Sequence, residues 1–156
     1  MKFEGTDGKL LTIRPTAGML QRVQSRTGYD LTQCVILTDE GENEILQKLL
    51  THWPTLASVL YAACEPDIDA TLDGWLNEFD AKIAAAGRAA LFEALPHCFD
   101  VPEAQAFCVA LLTEMTEQLE AGRNQLREAV ASIGSPEPTT APGSQDTART
   151  STQSAS

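Results

Sequence analysis

Five prolines, Pro15, Pro54, Pro66, Pro96 and Pro102, divide the apolar part of this chain into short pieces. Proline lacks a backbone donor and fits only the first turn of a helix or the space between elements. Each helix therefore has to begin at one of these residues or stop short of the next. Between them the apolar residues recur at helical spacing.

Pro15-Thr16 opens a helix with Met19, Leu20 and Val23 on one face. Gly28, suited to the left-handed C′ position, closes it. Arg22 and Arg26, four residues apart, share its other face, either as a solvated surface or as a contact for an acidic partner. Residues 43–51 place Ile45, Leu46, Leu49 and Leu50 in register before the break at His52-Trp53-Pro54. Pro54 suits the first turn of a helix running through Leu56, Val59, Leu60 and Ala63 to Pro66. From Leu72, the positions Trp75, Leu76, Phe79, Ile83, Ala86, Ala90, Leu91 and Leu95 predict one helix, or a pair broken near Gly87, ending before Pro96.

The longest element spans residues 102–133, with Phe107, Cys108, Leu111, Leu112, Met115, Leu119, Leu126, Val130 and Ile133 on one stripe. At 1.5 Å per residue it is roughly 45 Å long. Its first half has two apolar residues per turn, enough for a core. After Met115 it keeps about one, among Glu117, Gln118, Glu120, Arg123, Asn124, Gln125, Arg127 and Glu128. The candidate partner-binding residues are accordingly Leu119, Leu126, Val130 and Ile133. Such a seam extends past the domain or meets a partner helix, with self-association one option; the alternative is a final helix frayed against its own domain.

At the start of the chain, Lys2-Phe3-Glu4 and residues 9–14 (KLLTIR) flank Gly5-Thr6-Asp7-Gly8, which predicts a β-hairpin over residues 2–14. Residues 134–156 contain no aromatic residue and no Val, Ile, Leu or Met. Such a segment cannot bury enough apolar surface to offset its ordering entropy and reads as a disordered tail. The expected architecture is mainly α: one domain over residues 1–133, with about five helices and the hairpin, followed by that tail.

Hydrophobic residues make up 43% of the 156, adequate for one core. No apolar run approaches the ~20 residues needed to span a bilayer, and the first residues lack the basic-then-apolar pattern of a secretion signal, so a cytoplasmic protein with no membrane partner is expected. Cys34, Cys64, Cys98 and Cys108 are widely spaced in apolar surroundings, as buried thiols of a reducing compartment would be. The formal charge is −11, although residues 1–26 carry five basic side chains against two acidic ones. A field of that sign repels phosphate backbones, which disfavours nucleic acid and favours a basic protein partner or simple solubility.

Asp67, Asp69, Thr71 and Glu78 fall at positions 1, 3, 5 and 12 of a calcium-loop template. The template needs glycine at position 6 and an apolar residue at position 8, where this chain has Leu72 and Gly74. A helix start explains the same residues: Pro66 stops the preceding helix, Asp69 or Thr71 caps the next, and Asp73 sits in its first turn. His97, Cys98 and Cys108 lack the ligand spacing of structural zinc sites. No catalytic Cys/His pair, glycine-rich phosphate loop or other cofactor site is indicated.

In its order of elements the chain resembles the tail assembly chaperones of long-tailed bacteriophages and prophages. The resemblance rests on GKLLTIRP leading into GMLQRVQSRTGYDL, and on WPTLASVLYAACEPDIDATLDGWLNEF, over roughly residues 1–110. It implies a non-enzymatic helical protein of the host cytoplasm that binds the tape-measure protein, keeps it soluble and helps recruit tail-tube subunits. Two other classes fit an acidic helical chain: a regulator or nucleic-acid mimic that blocks a basic protein, and a virion head-to-tail joining subunit. The mimic is the poorer fit, because the acidic residues are interrupted by Ala, Gly and Arg instead of forming rows at phosphate spacing.

The composition break at Gly134 yields a direct test. Truncation after Ile133 should leave the melting temperature of the domain unchanged in calorimetry. A shift of more than a few degrees, roughly 1 kcal/mol, would mean that residues 134–156 contribute stabilising contacts.

Overall fold

The computed structural model describes residues 1–37 and 43–134. The chain divides into two compact units, Met1–Leu119 and Glu120–Ser156. The expected tail, apart from Gly134, lies outside the described residues.

In the first unit, β1 (Lys2–Glu4) and β2 (Leu10–Thr12) pair antiparallel with Phe3 opposite Leu11. Those two side chains are buried, while Lys2, Glu4 and Leu10 face outward, the alternation a half-covered ribbon requires. The ammonium group of Met1 donates to the Ile13 carbonyl at 3.0 Å, and the Ile13 N–H donates to the Met1 carbonyl at 2.8 Å, closing the ladder.

The helices are α1 (Ala17–Thr27), α2 (Glu44–Thr51), α3 (Trp53–Cys64), α4 (Leu72–Glu78), α5 (Ala81–Ala94) and α6 (Pro102–Ile133), with a 3₁₀ helix at Leu31–Val35 and shorter 3₁₀ turns after α3 and α5. The first five all begin on a side chain that accepts from an otherwise unpaired backbone N–H. Thr16 accepts from Met19, Asn43 from Leu46, His52 from Thr55, Thr71 from Gly74 and Asp80 from Ile83. Gly28 ends α1 at φ 78°, in the left-handed conformation expected of it.

The centre of the unit is α3. Thr55, Leu56, Ala57, Val59, Leu60, Ala62, Ala63 and Cys64 are all buried in it, because a helix apolar all round is stable only when enclosed. Its small residues let neighbours approach closely. Trp75 of α4 donates its indole N–H to the Ala57 carbonyl at 2.9 Å, and the rings of Trp75 and Phe79 lie 5.6 Å apart.

Three details differ from the sequence expectation. The break after α4 falls at Phe79-Asp80, where Asp80 caps α5, while Gly87 lies inside α5. Its place there is set by space: a Cβ at Gly87 would lie 2.4 Å from Leu60 Cδ1. Among the described residues there are six α-helices where about five were expected, since this break splits the segment from Leu72 to Leu95 in two.

Arg26 keeps the solvated position expected of it, 60% exposed, whereas Arg22 is half-buried. Arg22 donates to the Ala62 and Ala63 carbonyls at 3.3 and 3.5 Å, and Arg26 pairs with Glu65. The last turn of α3 has no basic residue of its own. Arg22 therefore supplies from α1 the positive charge that a helix C-terminus favours.

The packing of Leu60 against Gly87 predicts non-additive mutants. Leu60→Ala should cost about 2–5 kcal/mol in urea unfolding. Gly87→Ala alone inserts a methyl where no room exists, but in the Leu60→Ala background it enters the space left behind. The double mutant should then be more stable than the two single effects combined, by about 0.5 kcal/mol or more; strict additivity would refute the close approach.

Candidate interaction surface

The sequence placed the first half of α6 in the core and left its second half open. In the first unit the burial is narrower than expected. Cys108 and Leu112 are buried, whereas Leu111, Met115 and Leu119 are half-buried and Phe107 is exposed. Val101 and Val109 are exposed as well. At about 100° per residue, Leu112, Met115 and Leu119 all fall within ~40° of Cys108, so α6 is held along a single line of side chains. Phe107 and Val109 lie on opposite flanks of that line. Sequence reasoning placed Phe107 on the apolar stripe and missed Val109, although an apolar residue directly after Cys108 is a signal of an apolar face wider than one seam.

Beside this seam, still within the first unit, a cleft of about 580 Å³ opens between the end of α5 and the start of α6. Phe92, Pro96, Val109 and Leu112 give it apolar walls, and Glu93 and His97 add polar groups. Gln105 donates to the Phe99 carbonyl at 2.6 Å and so secures the turn into α6.

In the second unit, Leu126, Val130 and Ile133 are 67%, 67% and 84% exposed. By the same helical geometry they fall within ~40° of the Cys108 line. The apolar seam thus persists in the sequence of α6 beyond the residues that the first unit covers. Exposed apolar groups in register on one helix face make this stretch the candidate interaction surface. Of the four residues the sequence singled out, three are open to solvent and Leu119 is half-buried.

The residues of the calcium-loop template have other occupations. Thr71 Oγ1 accepts from the Gly74 N–H at 3.2 Å, Asp69 pairs with Lys9 at 3.0 Å, and Asp67 belongs to the 3₁₀ turn after α3. Among the described residues no three His, Cys, Asp or Glu side chains gather as a metal site would require. No described helix is long and apolar enough to cross a membrane.

Asn43, which the sequence reading used only as the start of a helix, is buried. Its amide group donates to the Gln33 and Ile36 carbonyls at 3.1 and 2.6 Å, while its oxygen caps α2. It thereby fastens α2 to the 3₁₀ helix. A buried amide with this many partners is legible only in three dimensions.

Comparison of the chain with protein-family models, with characterised proteins and with solved structures finds no match. The surface is therefore read from its own chemistry.

One local prediction separates the two readings of residues 66–79. Thr71→Ala should lower stability by about 1 kcal/mol, the usual cost of losing an N-cap. Calorimetric titration with calcium should show no site of micromolar affinity. A calcium-dependent rise in melting temperature that disappears in Thr71→Ala would reverse this assignment.

Proposed function

We propose that this protein is a tail assembly chaperone of a long-tailed phage or prophage, and that it acts in the host cytoplasm by binding, without catalysis. The observation that supports this reading best is the exposure of Leu126, Val130 and Ile133 in line with a seam that is buried elsewhere on α6. The proposed partner is the tape-measure protein, a long helical chain whose apolar stripes need cover until the tail tube encloses them. Leu119, Leu126, Val130 and Ile133 lie against such a stripe in helix-to-helix packing.

The energetics suit a temporary partner. Each apolar anchor in a helix interface is worth about 1–3 kcal/mol, so three or four of them, about 3–12 kcal/mol before association entropy is deducted, give at most micromolar binding. Binding of that strength holds a nascent helix in solution yet releases it when a larger interface with tail-tube subunits forms. Chaperoning of this kind needs neither a metal nor a cofactor.

Replacing Leu126 and Val130 by Ser tests the proposal. Both side chains are already mostly in water, so the double mutant should keep its melting temperature within a few degrees. Its affinity for the co-expressed tape-measure protein of the same tail-gene cluster should fall at least tenfold in a co-purification titration. Undiminished binding would move the partner surface elsewhere, and unfolding of the mutant would mean that the seam belongs to the core.

A further inference from the structure

The first unit encloses a pair of thiols that the proposed function does not use. Cys34, in the 3₁₀ helix Leu31–Val35, and Cys108, on α6, have Sγ atoms 3.9 Å apart, and both residues are fully buried. They are 74 positions apart in sequence. Cys108 is also one of only two buried residues of α6, so the sulfur contact falls where α6 meets the core. We propose that Cys34 and Cys108 are a modification site that hydroperoxides oxidise to a disulfide, which ties α6 covalently to the 3₁₀ helix.

The geometry asks for little. A disulfide needs its sulfurs at about 2.05 Å, so the present contact must close by less than 2 Å. An element anchored along one line of side chains can make that adjustment by a small shift of the helix. The two thiols are also unequal. The hydrogen bond to Cys108, together with burial, holds the Cys34 thiol well above the usual range. Donation of that S–H toward Cys108 favours the thiolate there, which makes Cys108 the attacking sulfur.

The reaction balances with a hydroperoxide as oxidant. The Cys108 sulfur attacks the terminal peroxide oxygen and the O–O bond breaks. A sulfenic acid forms, and the departing oxygen leaves as water or alcohol with the proton from Cys108. The Cys34 sulfur then attacks the sulfenic sulfur and the S–O bond breaks. A second water leaves with the Cys34 proton. Two electrons pass from the sulfurs to the peroxide. Because both thiols are enclosed, oxidant has to enter through a local opening beside α6 that keeps the two sulfurs in contact, and the disulfide then closes that opening. This pair does not depend on the chaperone reading.

The test uses the full chain. Protein treated with hydrogen peroxide is blocked with N-ethylmaleimide and digested with trypsin without reduction. The expected product joins the peptide of residues 27–48, which contains Cys34, to that of residues 89–123. The second peptide carries both Cys98 and Cys108, so its fragmentation spectrum must place the bridge on Cys108. The link should persist in Cys98→Ser and vanish in Cys108→Ser. Free thiols should fall from four to two, and dithiothreitol should restore them.

Closing so long a loop should raise the melting temperature by about 5 °C or more. Four remaining thiols, a bridge to Cys98 or Cys64, a bridge between two chains, or a bridge that leaves the melting temperature unchanged or lower would each overturn the proposal. The fragmentation result on unmutated protein decides the matter even if Cys108→Ser does not fold.

Discussion

The enclosure of α3 is the constraint on which the first unit depends. Its buried residues span both sides of the helix, so no single partner could cover it. The other elements are arranged to solve that problem, each with a different device. From α1, Arg22 supplies hydrogen bonds to the last carbonyls of α3. From α4, Trp75 adds a large ring anchored to the Ala57 carbonyl, and α5 brings Gly87 to within touching distance of Leu60. Small residues at the crossings allow close backbone approach, and the large side chains then fill the remaining gaps to the density of a protein interior.

By contrast, α6 contributes little to that enclosure in the first unit. Burying Cys108 and Leu112 fully, and Leu111, Met115 and Leu119 in part, removes enough apolar area for only a few kcal/mol of stabilisation. That is small beside the ordering cost of so long a helix. An element with few buried apolar side chains belongs to the low end of local stability. A narrow seam is a poor way to build a core but a suitable way to present one face of a helix. The same property makes the buried sulfur pair reachable at all.

Much of the fold was legible because it is written in local chemistry. Thr16, Pro54, Thr71 and Gly28 set helix ends through backbone rules that need no tertiary information. What escaped was tertiary in origin. Gly87 looked like a helix breaker because glycine is a poor helix former, but its role is to make room for Leu60. Arg22 looked like surface charge, because nothing local announces that the last turn of α3 lies opposite. The wide spacing of Cys34 and Cys108 hid their contact for the same reason. At the candidate surface, thinning of the stripe drew attention to Leu126, Val130 and Ile133, which are exposed, but did not say whether a partner or the chain's own domain would cover them. The weak hold on residues 102–119 could not be read from periodicity, which counts apolar residues without showing what covers them.

The charges sharpen what such a surface can select. Several basic groups of the N-terminal segment are engaged within the first unit: Lys9 with Asp69, Arg22 with two carbonyls and Arg26 with Glu65. Each ion pair cancels one charge of either sign, so the acidic excess of the chain is unchanged by them. Around the open seam the signs are mixed, with Arg123 and Arg127 lying between Glu120 and Glu128 along the helix. Mixed charge at the rim gives little long-range steering, so electrostatics contributes modestly to the association rate. Discrimination between partners then falls to apolar register, the spacing of Leu126, Val130 and Ile133 against the stripe they meet, and is expressed mainly in the dissociation rate. On the proposed reading, such a seam would accept many stretches of a long repetitive helix with similar affinity.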